Sequence, residues 1–230
     1  MKIVLFDIDG TLLNSDGSGR RAMERALVAT FGTAGPTTYR YGGKTDKLIV
    51  RETMLLEGIA EAEIDAAMDA VVAAYLRNLR EDLTANPKAA RALPGVFALL
   101  DAVEAHDGML LGLLTGNVVD GAGVKLRAVQ IQPERFRVGA FGSDHELRPM
   151  LPPIARERAS AFLGRDVAGD QLIIIGDTEH DMTCGQGIGA RAIGVATGGI
   201  SRATLESHAP VAVFDDFSDT DRVMEAILDA

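Results

Sequence analysis

Lys2-Ile3-Val4-Leu5-Phe6-Asp7-Ile8-Asp9-Gly10-Thr11 stands at the start of the chain and decides how the rest is read. An apolar run of strand length ends abruptly in two carboxylates and a glycine. Alternate residues of a strand point the same way, so Asp7 and Asp9 are aimed together if extended geometry persists past Phe6. Gly10 then lets the chain turn away. Two carboxylates held side by side repel unless a cation or a proton separates them. Alone, the pair reads equally well as a solvated acidic turn.

Working outward, the same rhythm recurs. Apolar runs at 109–114, 172–175 and 192–195 each end in a polar or glycine-rich turn, with a weaker run at Val138–Phe141 and a candidate edge strand at 211–214. Near-continuous apolar strands alternating with helical patterns signal a parallel sheet covered on both faces. Val96–Ala105, 121–129 and 153–163 supply those helical patterns, with apolar residues at helical spacing and charges between them. The expected fold is α/β, with a Rossmann-like parallel sheet whose ligands bind beyond the carboxyl ends of the strands. From Ser15 to about Pro87 the rhythm breaks into three helical patterns, at Ser18–Phe31, 45–57 and 61–80, with no convincing strand. Asn86-Pro87 and Leu93-Pro94-Gly95 punctuate the return. The expected division is a core of residues 1–15 and 88–230 and a helical cap of residues 16–87, inserted after the first strand.

Further strand ends carry polar groups. Thr115-Gly116-Asn117 follows the second core strand, where a helix N-cap or plain turn would have the same look. Gly176-Asp177-Thr178-Glu179-His180-Asp181 follows the most apolar strand, and Asp177 and Asp181 face one point if a helix starts between them. Arg148-Pro149 precedes a helix and offers a fixed cation, with Arg156 and Arg158 as alternatives just downstream. His180 reads as a surface residue, and the lone Cys184 as buried rather than reactive.

Taken in order, these segments resemble the motifs of the haloacid dehalogenase superfamily along nearly the whole chain. Asp7-Ile8-Asp9-Gly10-Thr11 is similar to its first motif, Thr115 to its second and Gly176–Asp181 to its fourth. Arg148 stands near the place where the third motif usually has a lysine. The helical insert resembles the small cap of phosphoglycolate phosphatase-like members. The resemblance implies a magnesium-dependent phosphatase in which Asp7 attacks phosphorus and Asp9 protonates the leaving alkoxide, then takes a proton from water. It further implies Mg2+ on Asp7, the Asp9 carbonyl and Asp177, with Asp181 as ligand or support. Thr115 and the following backbone, including Gly116 and Asn117, would meet the phosphoryl oxygens with Gly10 and Thr11, and Arg148 would offset their charge. Within the cap, Gly43-Lys44-Thr45 would read the non-reacting end of the substrate, or else Thr45 simply caps a helix beside a solvated lysine.

A haloacid dehalogenase would have no alkoxide for Asp9 to protonate. A phosphomutase of the β-phosphoglucomutase type would keep every core residue named. A phosphoacceptor signalling module, from a different class, would place its acceptor aspartate on a later strand. The formal net charge of −10 and scattered basic residues leave no stripe for nucleic acid. A small phosphorylated metabolite is the expected partner, with neither nucleic acid nor membrane, for a monomer or homodimer. One cysteine and an opening apolar run broken early by Asp7 and Asp9 point to the cytoplasm.

Overall fold

The computed structural model describes residues 1–88 and 90–230. Strand β1 (Lys2–Phe6) lies at the centre of a six-stranded sheet with β4 (Met109–Thr115), β5 (Val138–Phe141), β6 (Leu172–Gly176), β7 (Arg191–Val195) and β8 (Ala212–Phe214), in the order β5-β4-β1-β6-β7-β8. Every pairing is parallel, with Val4 opposite Leu111 on one side and Ile173 on the other. The α/β expectation is borne out.

Alternation along each strand divides the core into two layers. Val4, Phe6, Leu111, Leu113, Ile173 and Ile175 face one side, under helices α4 (Val96–Ala105), α5 (Val119–Ala128) and α9 (Thr220–Asp229). Ile3, Leu5, Leu110, Leu114, Leu172 and Ile174 face the other, under α6 (Leu151–Leu163). Short helices α7 (Glu179–Thr183) and α8 (Arg202–Glu206) flank β7 and β8.

A separate apolar cluster holds α1 (Ser18–Phe31), α2 (Asp46–Leu56) and α3 (Glu61–Ala85) together. Ile64, Met68, Val71, Tyr75 and Leu79 form the buried stripe of α3 at helical spacing. That helix runs to Ala85, past the expected stop at 80, because Leu83 continues the stripe and Pro87 ends it. One element lies where no strand is expected: β2 (Leu13–Asn14) and β3 (Arg91–Ala92) form a two-residue antiparallel ribbon where the chain leaves and re-enters the core. Two residues are too few to carry a periodicity.

Candidate active site

Strands β4, β1 and β6 are neighbours, so their carboxyl ends bring Thr115, Asp7 and Asp177 to one point. Past Phe6 the chain does not stay extended. It coils into a single turn in which the Leu12 amide donates to the Ile8 carbonyl, and the Gly10 amide to that of Leu13. Both acids nonetheless reach one cavity of about 500 Å3. Asp7 is buried at its floor, and the Asp9 side chain is 42% exposed at its wall.

Oxygens of Asp7, Asp177 and Asp181 all lie within 4.8 Å of one another, and all three residues are buried. Burial drives the Asp7 carboxyl up to about 6; Arg148 opposes this, while Asp181 and Asp9 add to it. Burial, then Asp181 and Asp7, hold Asp177 well above the ordinary carboxylate range. Such a cluster is stable at neutral pH only when a proton or cation offsets it. The donor set is oxygen throughout, without His or Cys, and it suits a hard divalent ion of the magnesium type.

Arg148 is that cluster's protein cation. It is buried, ion-paired with Asp181, and its Nη2 lies 3.5 Å from Asp7 Oδ1. Its Nε is buried without a hydrogen-bond partner among the described residues. Arg158 does not share this place, since its guanidinium holds Asp144 and the Gly139 carbonyl. Asp181 also secures the start of α7, where its Oδ2 accepts from the Thr178 amide at 3.0 Å and the Thr178 hydroxyl at 2.7 Å. Both its oxygens therefore have protein partners.

The remaining expected residues divide. Gly10, Gly43, Lys44, Gly116 and Asn117 line the cavity with Thr115. Thr11 and Thr45 do not: the buried Thr11 hydroxyl donates to Asp177 Oδ1 at 3.1 Å, and Thr45 caps α2 while donating to the Glu146 carbonyl. Lys44 is not free in the cavity either. Its ammonium donates to Glu52 Oε2 at 2.6 Å and to the Tyr39 hydroxyl at 2.8 Å. His180 is exposed, and Cys184 is buried, which pushes its thiol up to about 12.

The loop carrying Gly43 and Lys44 is seated on the sheet edge by main-chain and side-chain bonds together. The Asp46 amide donates to the Gly116 carbonyl, and Arg148 Nη1 donates to the Gly43 carbonyl at 3.2 Å. A Cβ on Gly116 would lie 2.1 Å from the Lys44 carbonyl oxygen, which is backbone and cannot swing aside. Gly116→Ala is expected to lift this loop off the core. Catalytic efficiency should fall by up to about a hundredfold, and limited proteolysis should cut the loop sooner. Unchanged efficiency and protease resistance would show that the seat does not matter.

Two residues escape the sequence reading. Lys125 Nζ donates to Asp9 Oδ2 and to Asn117 Oδ1, each at 2.6 Å. Asp46, buried on α2, accepts from the Val118 amide at 2.8 Å and so caps α5 from outside, with burial pushing its carboxyl up to about 6. The signal for Lys125 is present in hindsight. Val118, Ala122, Lys125 and Val129 form one helical stripe, and a lysine on the apolar phase of a helix needs a buried partner.

The family model of the haloacid dehalogenase-like hydrolases matches residues 4–186, and the chain belongs to that family. Phosphoglycolate phosphatase of Rhodospirillum rubrum is 29% identical over 94% of this chain and 88% of its own length. A hydrolase from Pseudomonas syringae superposes with a TM-score of 0.73 at 22% identity, covering 99% of both chains. CbbY from Rhodobacter sphaeroides, solved in complex with phosphate, gives 0.64 at 20% identity over 95% of this chain and 96% of that one. No helix among the described residues is long and apolar enough to cross a membrane.

Proposed function

We propose that this hydrolase is a divalent-metal-dependent phosphatase of small phosphomonoesters, phosphoglycolate-like in size and charge, working through an aspartyl-phosphate on Asp7. The observation that carries the reading is the placement of Asp7: buried at the cavity floor, 3.5 Å from a buried guanidinium and within one cluster with Asp177 and Asp181. The phosphatase name of the 29% identical relative supports it. The helices α1–α3 serve as the cap over this site, within residues 16–87.

In the first half-reaction an Asp7 oxygen attacks phosphorus, the bond to the ester oxygen breaks, and Asp9 gives that oxygen its proton. In the second, Asp9 takes a proton from water as the water oxygen attacks phosphorus, which frees Asp7 and inorganic phosphate. Asp7, Asp177 and the Asp9 carbonyl would hold Mg2+, with Asp181 in support by holding Arg148. The bound ion would offset charge on the carboxylates and phosphoryl oxygens. Arg148, whose Nε has no partner among the described residues, and Thr115 would donate to the phosphoryl oxygens. Gly10, Gly43, Lys44, Gly116 and Asn117 border the substrate, and Thr11 and Thr45 act behind it. A cytoplasmic setting accords with the single, buried Cys184.

The test is turnover of p-nitrophenyl phosphate and of a panel of phosphorylated metabolites, with magnesium and with chelator. Magnesium-dependent release of inorganic phosphate is expected, with phosphoglycolate among the substrates turned over. Folded protein that releases none under any of these conditions would overturn the reading. Isomerisation of a sugar phosphate without net release would instead mark a mutase.

A further inference from the structure

Lys125 is a buried ammonium for which the chemistry above has no use. It projects from α5 with 4% exposure. A buried charge costs several kcal/mol unless well paired. Here the pairing is unusual, because the partner is the proton carrier itself. Lys125 Nζ donates to Asp9 Oδ2 at 2.6 Å, and Asn117 Nδ2 donates to the same oxygen at 2.8 Å. Lys125 also donates to Asn117 Oδ1 at 2.6 Å, which closes a ring of three hydrogen bonds. Both donors to Asp9 converge on Oδ2. Its other oxygen, Oδ1, has no hydrogen-bond partner among the described residues, on a side chain that borders the cavity.

The ammonium is walled in from the helical insert. A Cβ on Gly19 of α1 would sit 3.2 Å from Nζ and 3.4 Å from Cε, and the Tyr75 hydroxyl of α3 stands beside them. Although burial works against its charge, Asp9, Tyr75 and Asp46 hold its pKa above the ordinary lysine value. It therefore stays a cation across the working pH range.

We propose that Lys125 is a positioning residue for Asp9: with Asn117 it pins Oδ2, so that Oδ1 is the oxygen presented to the leaving group. The inference rests on the reading of Asp9 as the proton carrier, and its test separates the two. Proton donation matters little for a good leaving group such as p-nitrophenolate and greatly for an alkoxide. The dependence of kcat/KM on leaving-group pKa, over a series of aryl and alkyl phosphates, therefore reports how well Asp9 delivers its proton. This ratio excludes the later hydrolysis of the phosphoenzyme, which is common to every substrate.

For Lys125→Met, kcat/KM is expected to fall by roughly a hundredfold on alkyl phosphates and by less than about threefold on p-nitrophenyl phosphate, steepening the dependence. Gly19→Ala keeps the lysine but crowds it by a few tenths of an ångström. It should produce a smaller loss with the same preference for poor leaving groups, and it decides the matter if Lys125→Met does not fold. Equal losses on all esters, or none, would overturn the proposal. Asp9→Asn is the control. A steepened dependence there with flat behaviour in the Lys125 and Gly19 variants removes only the positioning role, whereas a flat dependence in Asp9→Asn removes the reading of Asp9 as well.

Discussion

Asp7→Asn is expected to reduce turnover below about one ten-thousandth of the parent rate and to abolish the acid-stable, hydroxylamine-sensitive phosphoenzyme. The amide keeps the shape of the side chain but lacks the nucleophilic oxygen. The same change should make the metal-free protein more stable. Asp7 is a carboxylate whose folded pKa is raised to about 6, chiefly by burial, with Arg148 opposing. A raised carboxyl binds its proton more tightly in the folded state than in the unfolded one. Its contribution to stability is therefore lost as pH rises from the unfolded value near 4 through about 6, and at pH 7 it is a net burden. Removing the charge should recover on the order of 2 kcal/mol in chelator, measured by urea unfolding. A variant that kept wild-type turnover, or retained a hydroxylamine-sensitive phosphoenzyme, would show that another group is the nucleophile.

Arg148→Met is expected to act in the opposite sense on stability. It would leave Asp7, Asp177 and Asp181 buried together with no protein cation among them, a loss on the order of 3–5 kcal/mol at neutral pH without metal. Two conditions should restore part of it. Magnesium should stabilise the variant by more than it stabilises the parent, because the ion then supplies the only counter-charge. Acidification from pH 7 toward 5 should help as well, because the raised carboxyl of Asp7 takes up a proton in that window. Unfolding curves at both pH values, with and without magnesium, read both effects. A variant as stable as the parent in chelator at pH 7 would mean that Arg148 is not the counter-ion of the cluster. Turnover should fall severely in either case, since the proposed donor to the phosphoryl oxygens is gone.

The parallel sheet was legible because its strands are buried on both faces, which leaves unbroken apolar runs at Lys2–Phe6 and Leu172–Gly176. The acidic cluster is legible because Asp7 and Asp177 each sit directly after such a run, with Asp181 one helical turn beyond Asp177. What stayed hidden depends on where side chains turn after the strand ends. Thr11 and Thr45 have the composition of ligand-binding residues, yet their hydroxyls support Asp177 and the Glu146 carbonyl. Lys44 looked like a free cation because Glu52, eight residues on, shows itself as its partner only once α2 is folded. Lys125 is hidden for the reverse reason. In sequence it is one more charge on a helix, and only the phase of α5 shows that it is buried. The ribbon of Leu13–Asn14 with Arg91–Ala92 joins segments separated by the whole helical insert, a pairing no local window contains.

The way the 43–46 loop rests on the core bears on how enzymes of this kind diversify. Its seat joins a backbone bond from Asp46 to Gly116 and the close approach of the Lys44 carbonyl to Gly116 with the side chains of Arg148, Thr45 and Asp46. Side chains facing the cavity from the same helices and loop, such as Arg20, Met23 and Tyr41, take no part in these seat bonds. Selection can thus rewrite these cavity-facing side chains without renegotiating the joint, much as a tool holder accepts different bits.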